Sequence, residues 1–173
     1  MQKDFIDGVL GTKEAVAIVG NVCNKINACR KNGYDIIFTR DTHYADNYEN
    51  TQEGQKLPVL HCVKDTDGWQ INADVEKVKR PEDVVYDKET FGCVTLARNI
   101  MRDYNNGRSD FNNVEVELVG LCTDICVISN AMLIKNFMPN ITVVVDGNCC
   151  AGVTVDSHNT ALNAMRMVQI EVR

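Results

Sequence analysis

Short apolar runs alternate with stretches of helical spacing along this chain, and this alternation restricts the fold more than any other feature of the sequence. The apolar runs occupy residues 34–39, 84–86, 114–119 and 141–145. Apolar residues at helical spacing occupy 12–31, 90–105, 124–138 and 157–168. Strands separated by helices predict an α/β fold, with an open parallel sheet and helices on both faces. Residues 168–172 are predicted to add a final edge strand, and 173 residues suit a single domain.

The composition of the chain limits the kinds of molecule that the protein is expected to bind. The net charge of -6 argues against a general binder of nucleic acid or of anionic membranes. No apolar run approaches the roughly 20 residues that span a bilayer, and no secretory signal opens the sequence. The eight cysteines lack zinc-ribbon spacing, so we expect reduced thiols in a cytoplasmic protein.

Several element boundaries can be predicted. Thr12 is a plausible N-cap of the first long helix, and Gly33 is expected to end that helix. Residues 36–38 form a continuous apolar run, which predicts a strand buried on both faces. The segment 44–69 has no clear period and is expected to be a loop excursion of functional importance. The helix that begins near Thr90 is predicted to end around residues 105–107, and Ser157 is predicted to cap the last helix.

Polar side chains follow the predicted strands at their carboxyl ends, where open parallel sheets bind ligands. Asp41 and His43 follow the first of these strands, Lys88 follows the second, and Cys126 follows the third. A lone charge at a strand end is commonly just solvated. The convergence of four such positions favours a functional interpretation.

Asp41, His43 and the loop residue His61 are a plausible set of metal ligands. Two imidazoles and a carboxylate suit zinc or a similar divalent ion, and Glu53 could add a fourth contact. The competing interpretation is that both histidines are surface loop residues. The spacing Asp-x-His is weak by itself, but two of the chain's three histidines lie in this one region.

Cys126 lies in the first turn of a predicted helix, where free backbone N–H groups and the helix dipole favour a thiolate. The alternative is that Cys126 is one more buried cysteine in a chain with eight. A Cys126–His158 pair oriented by Asp146 would be a thiol-protease arrangement. Nothing in the sequence brings His158 to the thiol, so a capping or core role for His158 is favoured.

With these residues in view, the chain resembles the isochorismatase-like cysteine hydrolases, the family of nicotinamidases, over nearly its whole length. The most specific match is the nucleophile motif at residues 120–127. The other matches are the opening motif at 1–5, the metal region at 40–43 and 57–62, the lysine motif at 87–91, and the C-terminal pattern at 146–152 and 158–162.

The resemblance implies a Rossmann-like three-layer fold and an Asp–Lys–Cys catalytic triad. Cys126 is then the nucleophile, and Lys88 helps to hold its thiolate. The backbone N–H groups of Cys122 and Cys126 would form the oxyanion hole. A cis peptide is implied between Leu121 and Cys122.

The same resemblance maps a divalent metal, expected to be zinc, onto Asp41, His43 and His61. Glu53 matches a ligand found in some family members. The ion would orient a ring nitrogen of the substrate rather than activate the attacking group. Aromatic side chains are expected to line the substrate pocket, namely Phe5, Trp69 and Phe91.

One departure concerns the start of the chain. The family's catalytic Asp ends a first, central strand immediately before the motif that begins here at Met1. Asp4 is the second acid of that motif and is not the catalytic one. We therefore expect an N-terminally truncated hydrolase domain over residues 1–173, with that strand missing. The alternative is a degenerate, inactive member.

The expected function is hydrolysis of a small amide, nicotinamide or a relative, through a thioester with release of ammonia. One alternative is hydrolysis of a vinyl ether such as isochorismate, which the metal-ligand residues disfavour because isochorismatases lack that site. Another is a non-catalytic metal-binding or partner-binding module. The expected partner is a small-molecule substrate, and the fold leads us to expect a homo-oligomer.

Overall fold

The computed structural model describes residues 1–105 and 114–173, and the described chain divides into two compact units, Met1–Thr90 and Phe91–Arg173. Each unit combines helices with a sheet whose strands are all parallel. The predicted α/β class with parallel sheets and flanking helices is confirmed. The family resemblance alone suggested a missing central strand, and that statement stays a prediction.

The first unit is built on two parallel strands, β1 (Ile37–Asp41) and β2 (Val84–Lys88). Its helices are α1 (Lys3–Ile6), α2 (Lys13–Ala17), α3 (Val19–Lys31), α4 (Gln52–Lys56) and α5 (Ala73–Val78), with a 3-10 turn at Tyr48–Asn50. Apolar side chains of α3 and α5, including Val22 and Val75, are buried in its core, and the two helices contact each other.

The first long helix begins and ends where the sequence predicts. The Thr12 side chain accepts a hydrogen bond from the Ala15 backbone N–H at 3.0 Å, so it is an N-cap. Gly33 follows the helix with φ of +80°, a conformation that glycine adopts without steric cost. The helix is not continuous, however, because Ile18 separates α2 from α3.

The second unit contains a three-stranded parallel sheet in the order β3–β4–β5. Its elements are α6 (Val94–Asn105), β3 (Glu115–Leu121), a π turn (Thr123–Val127), α7 (Ile128–Phe137), β4 (Thr142–Ala151), α8 (Val155–Met167) and β5 (Glu171–Val172). Side chains from α7, α8 and the sheet form one apolar core, with Ile134, Val145 and Met165 almost fully buried. The predicted final strand is confirmed, because β5 pairs with β4.

Three local predictions need correction, and a fourth falls partly outside the described residues. Ile37 is 41% exposed, so the run 36–38 is not buried on both faces; among the described residues β1 pairs only with β2. Thr154, not Ser157, is the N-cap of α8, because a capping box places Ser157 three positions further along. The segment 44–69 is not all loop, since it contains the 3-10 turn and α4. The predicted helix end at residues 106 and 107 lies outside the described residues.

Within the described ranges, no helix has the length and apolar character needed to cross a membrane.

Candidate active site and metal centre

The carboxyl ends of β1 and β2 bring an acidic and a basic side chain together. Asp41 and Lys88 are direct partners in the parallel register, and Lys88 Nζ donates a hydrogen bond to Asp41 Oδ1. Both residues are buried, and Lys88 Nζ also donates to the Thr90 carbonyl at 3.0 Å. Buried charges persist in proteins only when they are paired and hydrogen-bonded, so this ammonium is held in a fixed position.

Three possible metal ligands meet next to that strand end. The ligand atoms of His43, Glu53 and His61 all lie within 4.8 Å of one another. Glu53 Oε1 lies 3.7 Å from His43 Nε2 and 3.5 Å from His61 Nε2. Two imidazole nitrogens and one carboxylate oxygen are a donor set that zinc accepts.

Local backbone structure explains why these three residues converge. The chain after β1 continues in parallel pairing, with the His43 N–H donating to the Cys62 carbonyl at 3.0 Å. The short helix α4 that carries Glu53 starts at an N-cap, where Thr51 Oγ1 accepts from the Gly54 N–H. A Cβ atom on Gly54 would lie 2.1 Å from the Tyr48 carbonyl oxygen, so only glycine allows this close packing.

The hydrogen bonds of the two imidazoles fit a metal site. His61 Nδ1 lies 2.8 Å from the Val59 carbonyl oxygen, which can only accept, so Nδ1 carries a proton and Nε2 points toward Glu53. His43 Nε2 is buried and lacks a hydrogen-bond partner among the described residues. A buried polar nitrogen without a partner is costly unless something binds it. The residues therefore fit the divalent ion that the resemblance implies.

Electrostatics supports an ionised carboxylate between the two rings. Burial would raise the pKa of Glu53, but the His61 hydrogen bond and the charges of His43, His61 and Lys88 outweigh it and lower the pKa. Burial lowers the pKa of His43, although the charge of Glu53 opposes this effect. The lowered pKa favours the neutral imidazole. Burial also acts to lower the pKa of His61, but its bonds to Glu53 and Val59 raise the pKa overall. A metal ion would replace the His61 Nε2 proton.

Asp41, the fourth predicted ligand, is fixed by its backbone as well as by Lys88. Gln2 Nε2 donates to the Asp41 carbonyl at 2.8 Å, and Gln2 Oε1 accepts from the Asp41 N–H at 2.7 Å. Gln2 Nε2 also donates to the Trp69 carbonyl at 3.0 Å. The buried Gln2 amide thus acts as an extra strand partner for Asp41, a role that sequence reasoning missed. Direct ligation by Asp41 stays a prediction.

Asp4 supports the segment that carries His61. Its Oδ2 accepts a hydrogen bond from the Cys62 N–H at 2.7 Å, and Cys62 has φ of +46°. A Cβ on Gly68 would lie 2.2 Å from Asp4 Oδ1, so glycine allows the approach of this carboxylate. Asp4 is therefore a positioning residue for the metal-ligand loop, and sequence reasoning assigned it no role.

The predicted pocket aromatics have different surroundings. Trp69 is buried, its Nε1 donates to Thr42 Oγ1 at 2.9 Å, and the Arg40 guanidinium lies 3.6 Å from its ring centroid. Phe5 packs edge-on against the His61 ring, with 5.4 Å between the ring centroids. Phe91 belongs to the second unit and is 44% exposed. Their role as pocket-lining residues stays a prediction.

The nucleophile motif joins β3 to α7 through a π turn. The peptide between Leu121 and Cys122 is cis, as the resemblance predicts. The backbone N–H of Val127 donates to the Cys122 carbonyl at 3.1 Å, which closes the turn around Cys126. Cys126 is buried, with 9% of its surface exposed.

A buried amide that sequence reasoning missed supports this turn from within the same unit. Asn130 Nδ2 donates to the Cys126 carbonyl at 2.8 Å and to the Phe91 carbonyl at 3.2 Å. Asn130 Oδ1 accepts from the Cys93 N–H at 2.8 Å. Asn130 thus joins the segment at the start of α6 to the cysteine turn. No local sequence pattern marks this role, because it depends on three backbone groups that meet at one amide.

The histidine and the aspartate of the alternative Cys–His–Asp arrangement contact other groups in the structure. His158 Nδ1 lies 2.7 Å from Thr123 Oγ1, and Asp146 accepts from the Asn148 N–H at 3.0 Å. Asp146 Oδ2 also lies 3.5 Å from Cys149 Sγ. Asp41, His43, Glu53, His61 and Lys88 are therefore brought together within the first unit, whereas Cys122 and Cys126 belong to the second. Catalytic pairing of Cys126 with Lys88 stays a prediction.

Solved structures with the same fold are known. The chain matches a nicotinamidase/pyrazinamidase from Bacillus subtilis with a TM-score of 0.80 and 23% identity, covering 99% of this chain and 93% of that one. It matches a pyrazinamidase from Pyrococcus horikoshii in complex with zinc with a TM-score of 0.81 and 26% identity, covering 100% and 94%. An N-carbamoylsarcosine amidase from Thermoplasma acidophilum matches with a TM-score of 0.75 and 23% identity, covering 100% and 91%. Among curated proteins the sequence finds no significant match.

A family model agrees with this fold and with the motifs. The model of the isochorismatase domain matches residues 1–173, which span both compact units and every candidate site residue. The chain therefore belongs to the isochorismatase family of hydrolases.

Proposed function

We propose that this protein hydrolyses a small amide, nicotinamide or a close relative, with Cys126 as the nucleophile. The observation that carries the proposal is the His43–Glu53–His61 group, in which the buried His43 Nε2 has no hydrogen-bond partner within the part of the chain that the structure describes. Lys88 lies close enough to this group for its charge to affect the pKa values of His43 and Glu53. The zinc complex of the Pyrococcus horikoshii pyrazinamidase supports zinc as the ion.

The proposed reaction has two halves. The Cys126 thiolate attacks the amide carbonyl carbon, and the C–N bond then breaks to leave a thioester. The proton lost by the thiol passes to the leaving nitrogen, which departs as ammonia. Water then attacks the thioester, which releases the carboxylic acid and restores the thiol. The backbone N–H groups of Cys122 and Cys126 would bind the oxyanion, and Lys88 would stabilise the thiolate. A divalent ion held by His43, Glu53 and His61, with Asp41 as a further candidate ligand, would orient a ring nitrogen of the substrate.

The thiol can be tested directly. Ammonia release from nicotinamide is measured for the wild-type protein and for Cys126→Ala. We expect a loss of at least about a hundredfold on removing the thiol. An equal rate in Cys126→Ala would overturn the mechanism.

Metal analysis separates this proposal from its alternatives. An isochorismate-type hydrolase needs no metal, so purified protein without a stoichiometric divalent ion, together with vinyl-ether hydrolysis, would favour that reaction. A non-catalytic module predicts a Cys126 thiol with a pKa near the ordinary value of about 8.5. A pH series of iodoacetamide labelling at Cys126 tests that alternative.

A further inference from the structure

A partly buried hydrogen bond within the second unit links the cysteine turn to α8. Thr123 is the first residue of the π turn, is fully buried, and its Oγ1 lies 2.7 Å from His158 Nδ1. The Thr123 carbonyl accepts the backbone N–H of Ile128, the residue that follows the turn. The side chain and the backbone of Thr123 are therefore both engaged, and movement of this residue would move the turn that contains Cys126.

A second bond connects the same two elements. The Asp124 carboxylate accepts the Val153 backbone N–H, with its two oxygens at 3.1 and 3.4 Å. A Cβ on Gly152 would lie 2.9 Å from His158 Cβ, so the loop after β4 packs directly against the histidine. Neighbouring residues of the turn, Thr123 and Asp124, are thus both tied to the β4–α8 segment.

Helix capping does not account for the His158 side chain. The N-terminus of α8 is capped by Thr154, whose Oγ1 accepts the Ser157 N–H at 3.0 Å. Ser157 Oγ accepts the Thr154 N–H in return, also at 3.0 Å. The His158 N–H bonds to the Thr154 carbonyl, as in any helix, which leaves the imidazole available for Thr123.

A neutral imidazole can accept the Thr123 hydroxyl proton at Nδ1, whereas a protonated ring can only donate there. Burial lowers the pKa of His158, although the nearby Asp124 carboxylate opposes this effect. At neutral pH the ring is therefore neutral, and the Thr123 hydroxyl can donate to it.

We infer that His158 is a positioning residue that holds, through Thr123, the turn in which Cys126 and the proposed oxyanion N–H groups lie. The inference rests on the proposed function for its link to catalysis, but the positioning of Cys126 can be tested without it. The histidine does not touch the reacting atoms in this scheme. Its effect is on the placement of the thiol and the backbone donors.

The test pairs disruptive and conservative variants in the full chain. His158→Phe and Thr123→Val remove one partner with little change in volume. His158→Asn and Thr123→Ser keep a group that can bond at the same place. We expect the disruptive variants to lower kcat for nicotinamide by about ten- to a hundredfold with KM changed less than about threefold. The conservative variants should retain most of the wild-type kcat.

Two readouts distinguish positioning from a merely structural role. The His158→Phe/Thr123→Val double variant should lose no more kcat than the worse single variant, because the two substitutions remove the same hydrogen bond. Alkylation of Cys126 by iodoacetamide, followed by peptide mass mapping among the eight cysteines, should slow in the disruptive variants and stay near wild type in the conservative ones. Thermal unfolding identifies any variant that fails to fold.

Losses that multiply in the double variant would overturn the inference. So would an unchanged Cys126 alkylation rate in folded His158→Phe and Thr123→Val. If the wild-type protein releases no ammonia from any small amide, the proposed function fails instead. The alkylation measurements then still decide whether His158 positions the cysteine turn.

Discussion

At the scale of single residues, the candidate site depends on side chains whose importance comes from what they hold. Gln2 pairs with the backbone of Asp41, and Asp4 pairs with the backbone of Cys62. Neither would touch a substrate in the proposed reaction. Each fixes a chain segment that carries a candidate ligand, and geometry of this kind typically decides whether a metal site is tight or loose.

The buried Lys88–Asp41 pair leads to a prediction about stability. Lys88→Met leaves the Asp41 carboxylate buried without its ammonium partner, so we expect the free energy of unfolding to fall by about 3–5 kcal/mol. Urea unfolding at neutral pH measures this. The control is Lys77→Met, which removes an exposed lysine paired with Asp74 and should leave stability nearly unchanged. Equal effects of the two substitutions would contradict the prediction.

At the scale of elements, the sequence predicts which helices and strands are present better than it predicts where each one begins and ends. Alternating apolar runs are a strong signal, and every predicted strand is present, because burying apolar surface in α/β layers leaves few alternatives. Boundaries depend on weaker local effects. Helix α8 begins at Val155 because Thr154 and Ser157 form a reciprocal capping box, and either residue alone is an acceptable cap.

The candidate site was predictable only in part, for a physical reason. His43, Lys88 and Cys126 stand out because their chemistry is unusual at strand ends or in the first turn of a helix. His61 stands out because it is one of only three histidines in the sequence. Asn130 does not stand out, because an amide is informative only when three backbone groups converge on it. Such convergence is a property of tertiary structure, and local sequence patterns do not encode it.

The α8 cap can be tested within one helix. Thr154→Ala removes the side chain that accepts the Ser157 N–H, and it should lower the free energy of unfolding by about 1 kcal/mol. Thr160→Ala is the matched control, since Thr160 lies exposed inside α8. Alanine has a higher helix propensity than threonine, so this variant should be neutral or slightly stabilised, by up to about 0.7 kcal/mol. Thermal unfolding of both variants measures the difference in their stability. Destabilisation by Thr160→Ala would contradict the prediction.

At the scale of the whole molecule, one family model covers two compact units, Met1–Thr90 and Phe91–Arg173. All the candidate metal ligands lie in the first unit, and the cysteine turn lies in the second. A single hydrolase domain and self-association both stay predictions. Size-exclusion chromatography with light scattering tests self-association.

Metal binding should be visible as a change in global stability. Zinc at a hundred times its dissociation constant should raise the free energy of unfolding by about 2.7 kcal/mol if it binds only the folded protein. His43→Ala and His61→Ala should abolish this increase. The third histidine supplies the control, because His158→Asn lies outside the ligand group and should keep the full increase. Thermal unfolding with zinc and with a chelator tests all four proteins.

The register of β1 and β2 has a consequence for how the chain avoids misfolding. Arg40 faces Asp87 and Asp41 faces Lys88, so opposite charges meet at two successive positions. A slip of one residue in one direction would set Arg40 against Lys88, and a slip in the other would set Asp41 against Asp87. Like charges directly opposite each other are destabilising, and a slip also inverts the faces of a strand. Each misalignment is therefore penalised through one side chain of the candidate site, Lys88 in the first case and Asp41 in the second, and this protects the site from assembling in the wrong register.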